Sequence, residues 1–431
     1  MKTLFLYAGI IATFALPGSV LGQEAKSKSL TGKFLHITDI HVDPNYLAGS
    51  SPKKYCHRKS SKSKKNTAGK FGALHTDCDS PIALVDASFK FMKESLQDID
   101  FIIYTGDTAR HDRDDKIGRS KSDVLDDHKT VVNYFKKTYD VSTIKLIPTI
   151  GNNDADEHND LTPKSSIYKS LESIWKPFNL NLGDSFQKGG YFVQDDVVSG
   201  LRVINVNSMF FFKKNDAVKD CDKSGSPGGE QLKWIEQSFK AAKKDNVMVY
   251  VMGHVPPNDD DGSALFTSAC YNQYYQLLGE YGDIIAGHFT GHTNNDMLTA
   301  VVPSGKSFKP VPAIADKNNL KNLKVGKVST MLFNAPSIIP VNNPAIRVYE
   351  YETGHGKEHP VGTILDWNQY YVDLEKANKK GTVKYELEYR ASKLYGVNRF
   401  DTQGISRAFK QLRVNKAARQ EYSDYVTVSR N

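Results

Sequence analysis

From Lys33 onward, short apolar runs alternate with longer stretches in which apolar residues return every three or four positions. The short runs predict strands over 34–38, 101–105, 145–150, 202–205, 247–252 and 283–286, and the helical spacing predicts helices over 84–96, 123–137 and 229–243. Strands alternating with helices imply sheets covered by helices, an α/β architecture. Two regions break the pattern. Residues 52–70 set Lys53, Lys54, Arg58, Lys59, Lys62, Lys64, Lys65 and Lys70 among Ser, Asn and Gly, and read as a long basic loop. Beyond Thr353 an extended piece over 368–378 and a helical piece over 383–394 lead into a basic stretch at 407–419. Residues 30–353 are therefore expected to form the main domain, and 354–431 an extension packed on it. No internal repeat is present.

The first residues have a different purpose. Lys2, an apolar run over 4–17, and Val20 and Gly22 before Gln23 match a signal peptide over 1–22 with a small-residue cleavage site. Retention as a signal anchor is the alternative. The run falls short of the roughly 20 apolar residues of a membrane span, and no later stretch is longer, so no span is expected in the mature chain. Entry into the secretory pathway, toward a vacuole lumen or the cell exterior, changes the reading of Cys56, Cys78, Cys221 and Cys270. Four cysteines in an oxidising compartment suggest two disulfides, with three pairings open. None forms a CxxC pair, which argues against a zinc-thiolate site. The formal charge of +8 suits a polyanionic partner without requiring one, and no feature calls for nucleic acid.

The chemistry lies where the predicted strands end. The first runs into Asp39-Ile40-His41, the second into Gly106-Asp107, and the third into Gly151-Asn152-Asn153-Asp154. Two later ones run into Gly253-His254 and Gly291-His292-Thr293-Asn294. Ligands of α/β sheets bind at the carboxyl ends of strands, so these five ends can meet in one crevice. Asp, His and Asn offer hard oxygen and borderline nitrogen donors to a divalent ion. Each motif alone is commonplace; five in this order are not.

This order resembles the calcineurin-like metallophosphoesterase family, and within it the branch of acid sphingomyelinases and endopolyphosphatases. The resemblance spans about residues 30–395 and implies a sandwich of two mixed β-sheets flanked by helices, with two divalent ions (Mn, Mg or Zn) at one edge. By position, Asp39, His41 and Asn294 would be ligands of the first ion, Asn152, His254 and His292 of the second, and Asp107 the bridge. Two ions about 3.5–4 Å apart would hold a bridging hydroxide as nucleophile. His111, four residues after Asp107, and His158 would contact substrate. The branch also implies the pairs Cys56–Cys78 and Cys221–Cys270.

Two departures from the wider family matter. Its Gly-Asn-His-Asp/Glu motif carries here Asn153 in place of the histidine near the leaving group, and its Gly-His-x-His motif ends in Asn294. An amide oxygen is a harder donor than imidazole, tilting the first site toward Mn²⁺ or Mg²⁺. Losing a candidate general acid penalises an alkoxide leaving group but hardly a condensed phosphate, which leaves as a stabilised anion. The expected function is therefore cleavage of internal phosphoanhydride bonds of polyphosphate. A sphingomyelinase-like phosphodiesterase is the alternative, although the ten or so residues between Gln23 and the first strand hold no lipid-binding domain. An inactive polyphosphate binder is the second alternative.

Overall fold

The computed structural model describes residues 30–313, 325–355 and 358–429. The signal segment lies outside the described residues. Two mixed sheets form the centre. The first has the order β15-β14-β13-β1-β4-β5, with β1 (Thr31–Ile37), β4 (Phe101–Tyr104) and β5 (Lys145–Pro148) parallel and β13 (Ala345–Glu352), β14 (Ile364–Tyr371) and β15 (Glu386–Arg390) antiparallel. The second has the order β11-β10-β12-β9-β8-β7-β6. In it β7 (Leu201–Asn205), β8 (Met248–Met252), β9 (Ile285–Thr290) and β12 (Thr330–Asn334) are parallel. β6 (Phe192–Val198), β10 (Met297–Ser304) and β11 (Ser307–Pro312) run antiparallel to their neighbours.

The sheets meet face to face through aromatic rings. Phe34 of β1 stacks on Phe101 and Tyr349 within its own sheet and touches Phe289 and Tyr250 of the other, at centroid distances of 5.3 and 5.5 Å. The parallel strands are buried along nearly their whole length, which is why they read as unbroken apolar runs. Helices cover the outer faces. α1 (Ile82–Ser95) packs on α2 (Lys121–Thr138), while α5 (Pro227–Asp245) lies on β7 and β8, and α6 (Ser268–Glu280) on β10 and β11. A Ser120–Asp123 capping box starts α2.

The C-terminal region differs from expectation. Of the extended piece only 368–371 is strand, the end of β14, and a helix at Leu374–Lys380 follows, while the segment read as helix over 383–394 contains β15. Tertiary partners override local propensity there: Trp367 donates to the Tyr389 hydroxyl at 2.8 Å, and Arg390 pairs with Asp366. Position 353 falls in the turn between β13 and β14, so two strands of the extension continue the first sheet. Helices Thr402–Val414 and Lys416–Val426 then pack on each other and on the short helix Ala391–Tyr395, and the first of them also reaches β12 of the second sheet.

Disulfides join Cys56 to Cys78 and Cys221 to Cys270, with Cα–Cα distances of 5.6 and 4.9 Å. Both fit an oxidising compartment such as the secretory pathway. No described helix is long and apolar enough to cross a membrane.

Candidate metal centre

β1, β4, β5, β8 and β9 deliver their motifs to one edge of the sandwich. Asp39, His41 and Asp107 place one donor atom each within 4.8 Å of one another, and so do Asp107, His254 and His292. Asp107 belongs to both groups. Asn152 joins the second, its Oδ1 lying 2.9 Å from His254 Nε2 and 2.8 Å from His292 Nδ1. Asn294 closes the last motif, its amide donating to the His292 carbonyl at 3.4 Å.

The backbone at this edge is strained. Asp39, His41, Asp107, His292 and Asn294 all have positive φ, between 42° and 70°. A left-handed conformation costs a non-glycine residue on the order of 1 kcal/mol or more, and such residues gather at functional sites. Glycine is required where the loops touch. A Cβ on Gly151 would stand 2.1 Å from Asp107 Oδ1, and one on Gly291 would stand 2.0 Å from Thr38 Oγ1.

Hydrogen bonds fix which atoms face inward. His41 Nδ1 donates to the Ala109 carbonyl at 3.0 Å and His254 Nδ1 to that of Thr105 at 2.8 Å. Each therefore presents Nε2 to Asp107, at 3.3 and 3.2 Å. Outer carbonyls of this kind orient histidines that bind metals. Burial opposes the charged forms of both rings, yet Asp107 outweighs it, raising His41 to about 10 and His254 to about 9. The buried carboxylates thus demand positive charge. A divalent cation meets the same demand. Burial and His254 instead lower His292 to about 3, so its ring stays neutral with a lone pair available. Asp39 Oδ1 and Asn294 Oδ1 are buried without a hydrogen-bond partner, which is costly unless they serve as ligands of a cation. The donor set fits two divalent ions.

His111 and His158, expected to contact substrate, are also drawn in. His111 stacks on His41 at 4.3 Å and donates its main-chain amide and Nδ1 to the two oxygens of Asp79, at 2.8 and 2.6 Å. Exposed His158 lies 3.1 Å from the Asn152 amide and meets the His111 ring edge to face. Asn153 sits elsewhere than on an open rim. It is fully buried, and its main-chain and side-chain amides both donate to Asp107 at 2.8 Å.

Several supporting residues escaped the sequence reading. Asp154 accepts from the amides of Asp107, Thr108, Ala109 and Gly151, tying two ligand loops together, with His128 Nε2 3.2 Å away. Arg119 holds the carbonyls of Arg110, Asn153 and Ala155. The only sequence signal for Asp154 was its place at the end of Gly-Asn-Asn-Asp. Asp79 stands in Cys78-Asp79-Ser80-Pro81, a run that resembles the endopolyphosphatase branch but does not tell its role, and Arg119 gives no signal, since both roles arise from contacts between distant segments.

His57, beside the first disulfide, lies between Asp43 at 2.9 Å and Asp114 at 2.7 Å. Burial opposes its charge, but the two carboxylates raise its pKa above the ordinary histidine value. A raised pKa contributes stability that is fully present below the unfolded value near 6.5 and fades as pH climbs through the folded one. His57→Gln is therefore expected to cost about 2–4 kcal/mol at pH 5 and less at pH 9, read by denaturant titration of both proteins at each pH. A gap that widens with pH would contradict a charged His57.

The sequence profile of the calcineurin-like phosphoesterase family matches residues 32–295, and that of the acid sphingomyelin phosphodiesterase C-terminal region matches 323–431. Endopolyphosphatase of Neurospora crassa is 35% identical over 419 residues, 82% of this chain and 56% of its own. Endopolyphosphatase of Saccharomyces cerevisiae is 33% identical over 285 residues, 64% of this chain and 42% of its own. The human acid sphingomyelinase-like phosphodiesterase 3b is 29% identical over 410 residues, 92% of this chain and 83% of its own. The chain thus spans about half the length of the endopolyphosphatases it matches. Strand-end motifs that converge on one buried carboxylate, and a family profile covering more than half of the sequence, agree: the chain belongs to the calcineurin-like phosphoesterase family and carries the C-terminal region of acid sphingomyelin phosphodiesterases.

Proposed function

We propose that the protein is an endopolyphosphatase, a metal-dependent phosphohydrolase that cuts internal phosphoanhydride bonds of inorganic polyphosphate. Asp39, His41 and Asn294 would hold one divalent ion, Asn152, His254 and His292 a second, and Asp107 both. When bound, such ions supply positive charge to the phosphoryl oxygens and acidify water. Of the chain's own residues, Asp79 fixes the His111 ring toward the site and His158 lines its open side, where both would orient phosphoryl oxygens.

One observation carries the choice of substrate. Asn153, where the wider family has histidine, is buried and spends its amide on Asp107. No imidazole stands at that place to protonate an alkoxide, and a condensed-phosphate leaving group needs none. Polyphosphate is also the substrate named for the fungal relatives. The test is a rate comparison of long polyphosphate, sphingomyelin and a dinucleotide phosphodiester, each with Mn²⁺, Mg²⁺ and Zn²⁺. Long polyphosphate should be shortened at internal bonds and fastest of the three. Faster cleavage of sphingomyelin would overturn the assignment.

A further inference from the structure

The basic loop holds eight Lys and Arg residues and no acid between positions 52 and 70, as many positive charges as the chain's formal net charge of +8. The remaining residues therefore balance, and the excess is local. Part of it is already engaged. Arg58 grips Asp114 through two hydrogen bonds of 2.6 and 2.8 Å, Lys54 donates to the Lys59 carbonyl at 2.9 Å, and Lys70 lies over the Phe71 ring. Lys53, Lys64 and Lys65 are different. Two short 3₁₀ turns, Pro52–Lys54 and Ser63–Lys65, bring them to one open cavity of about 460 Å³ with Pro52, Thr67, Thr76 and Asp77. None of the three amines has a carboxylate partner among the described residues.

Two links fasten this cavity to the metal centre. Thr76 and Asp77 lead through Cys78, disulfide-bonded to Cys56 of the loop, directly to Asp79, which holds His111. Arg113 donates to the Asp77 carbonyl at 3.3 Å and lies 3.9 Å from the Asp77 carboxylate. A different charge stands near Asn294: its neighbour Asn295 donates to Asp260, within the run Asp259-Asp260-Asp261. A polyanion in the site is repelled from that side and drawn toward Arg113 and the lysines.

We infer that the Lys53–Lys64–Lys65 cavity is a second anion subsite, which holds phosphate groups of a condensed-phosphate chain away from the bond being cut and so makes the enzyme responsive to chain length. The inference rests on the polyphosphate reading. Lysine suits it: a flexible ammonium binds any phosphate as a point charge, without the fixed geometry that arginine imposes. A uniform polymer with a charge on every unit can occupy such a subsite in any register.

The test compares the full-length, metal-loaded protein with its Lys53→Gln/Lys64→Gln/Lys65→Gln variant, whose changed side chains lie on the surface and leave the core intact. With long polyphosphate, KM should rise about tenfold at unchanged kcat, and the slope of log KM against log salt should fall by about 2, as for three lost phosphate contacts. With tripolyphosphate, which offers no phosphate groups far from the bond being cut, both constants should stay unchanged. An unchanged KM and salt slope on long chains cut normally by the wild type would overturn the subsite alone. An equal rise in KM on tripolyphosphate would overturn it too, by placing the lysines at the centre itself. A wild type that ignores polyphosphate but cleaves a phosphodiester would sink the substrate reading, and the subsite with it.

Discussion

Replacing Asp107 with asparagine should lower turnover by on the order of 10³-fold or more, because charge stabilisation of several kcal/mol is removed and each 1.36 kcal/mol is tenfold in rate. Asp107 is the one carboxylate shared by both donor groups, and it faces the inward nitrogens of His41 and His254. Asparagine keeps the shape and loses the charge. Asn153 can adapt, because its Oδ1 has no partner and a turn of its amide would meet the new donor. The loops themselves hang from Asp154, so the fold should survive. Metal analysis of the variant should show reduced content of both ions, with a circular dichroism spectrum like that of the wild type. Full double occupancy with a normal rate would refute the bridging role.

The second large effect is expected at Asn153. Asn153→His should accelerate an alkyl phosphodiester by about 10²–10⁴-fold while leaving polyphosphate nearly unchanged, since a general acid helps only where the leaving group needs a proton. The variant's diester rate should also gain a basic limb in its pH profile. A histidine here has to accept the place beside Asp107 that the Asn153 amide now fills, so the variant's metal content is measured alongside. Equal gains on both substrates would show that the leaving-group explanation is wrong.

The strands that carry the ligands were legible because parallel, doubly covered strands are continuous apolar runs, and a polar motif stands out where such a run stops. β10 and β11 were missed for the opposite reason. Their sequences, MLTAVVPS and SFKPVP, mix apolar residues with Ser, Lys and Pro, as befits a hairpin at the edge of a sheet. α6 was missed because SACYNQYYQLLGE spreads tyrosines around the helix and blurs its apolar face. β15 was misread because only its pairing with β14 makes ELEYR a strand. Around the site, the motifs announced seven candidate ligands and two histidines, but not their holders. Asp79 lies 32 positions before His111 in sequence and Asp154 lies 47 after Asp107, and no local pattern records contacts of that span. The left-handed backbone at five of the seven candidate ligands was equally hidden, because nothing in an Asp or His advertises its φ.

The place of β1 in its sheet has a consequence for how the protein is made. β1 lies between β4 and β13, and Thr31 pairs with Glu352 across more than 300 residues of chain. The strand that presents Asp39 and His41 therefore has one bare edge until β13, about four-fifths of the way along the chain, has been synthesised. At about 5–20 residues per second, that wait lasts roughly 15–60 s. Meanwhile Cys56 and Cys78 lie close in sequence and can pair early, before their surroundings exist. Non-local pairing of this kind is slow to form and leaves an open strand edge exposed to other chains. The vulnerable period of this protein is therefore its own synthesis, when β1 is finished and β13 is not.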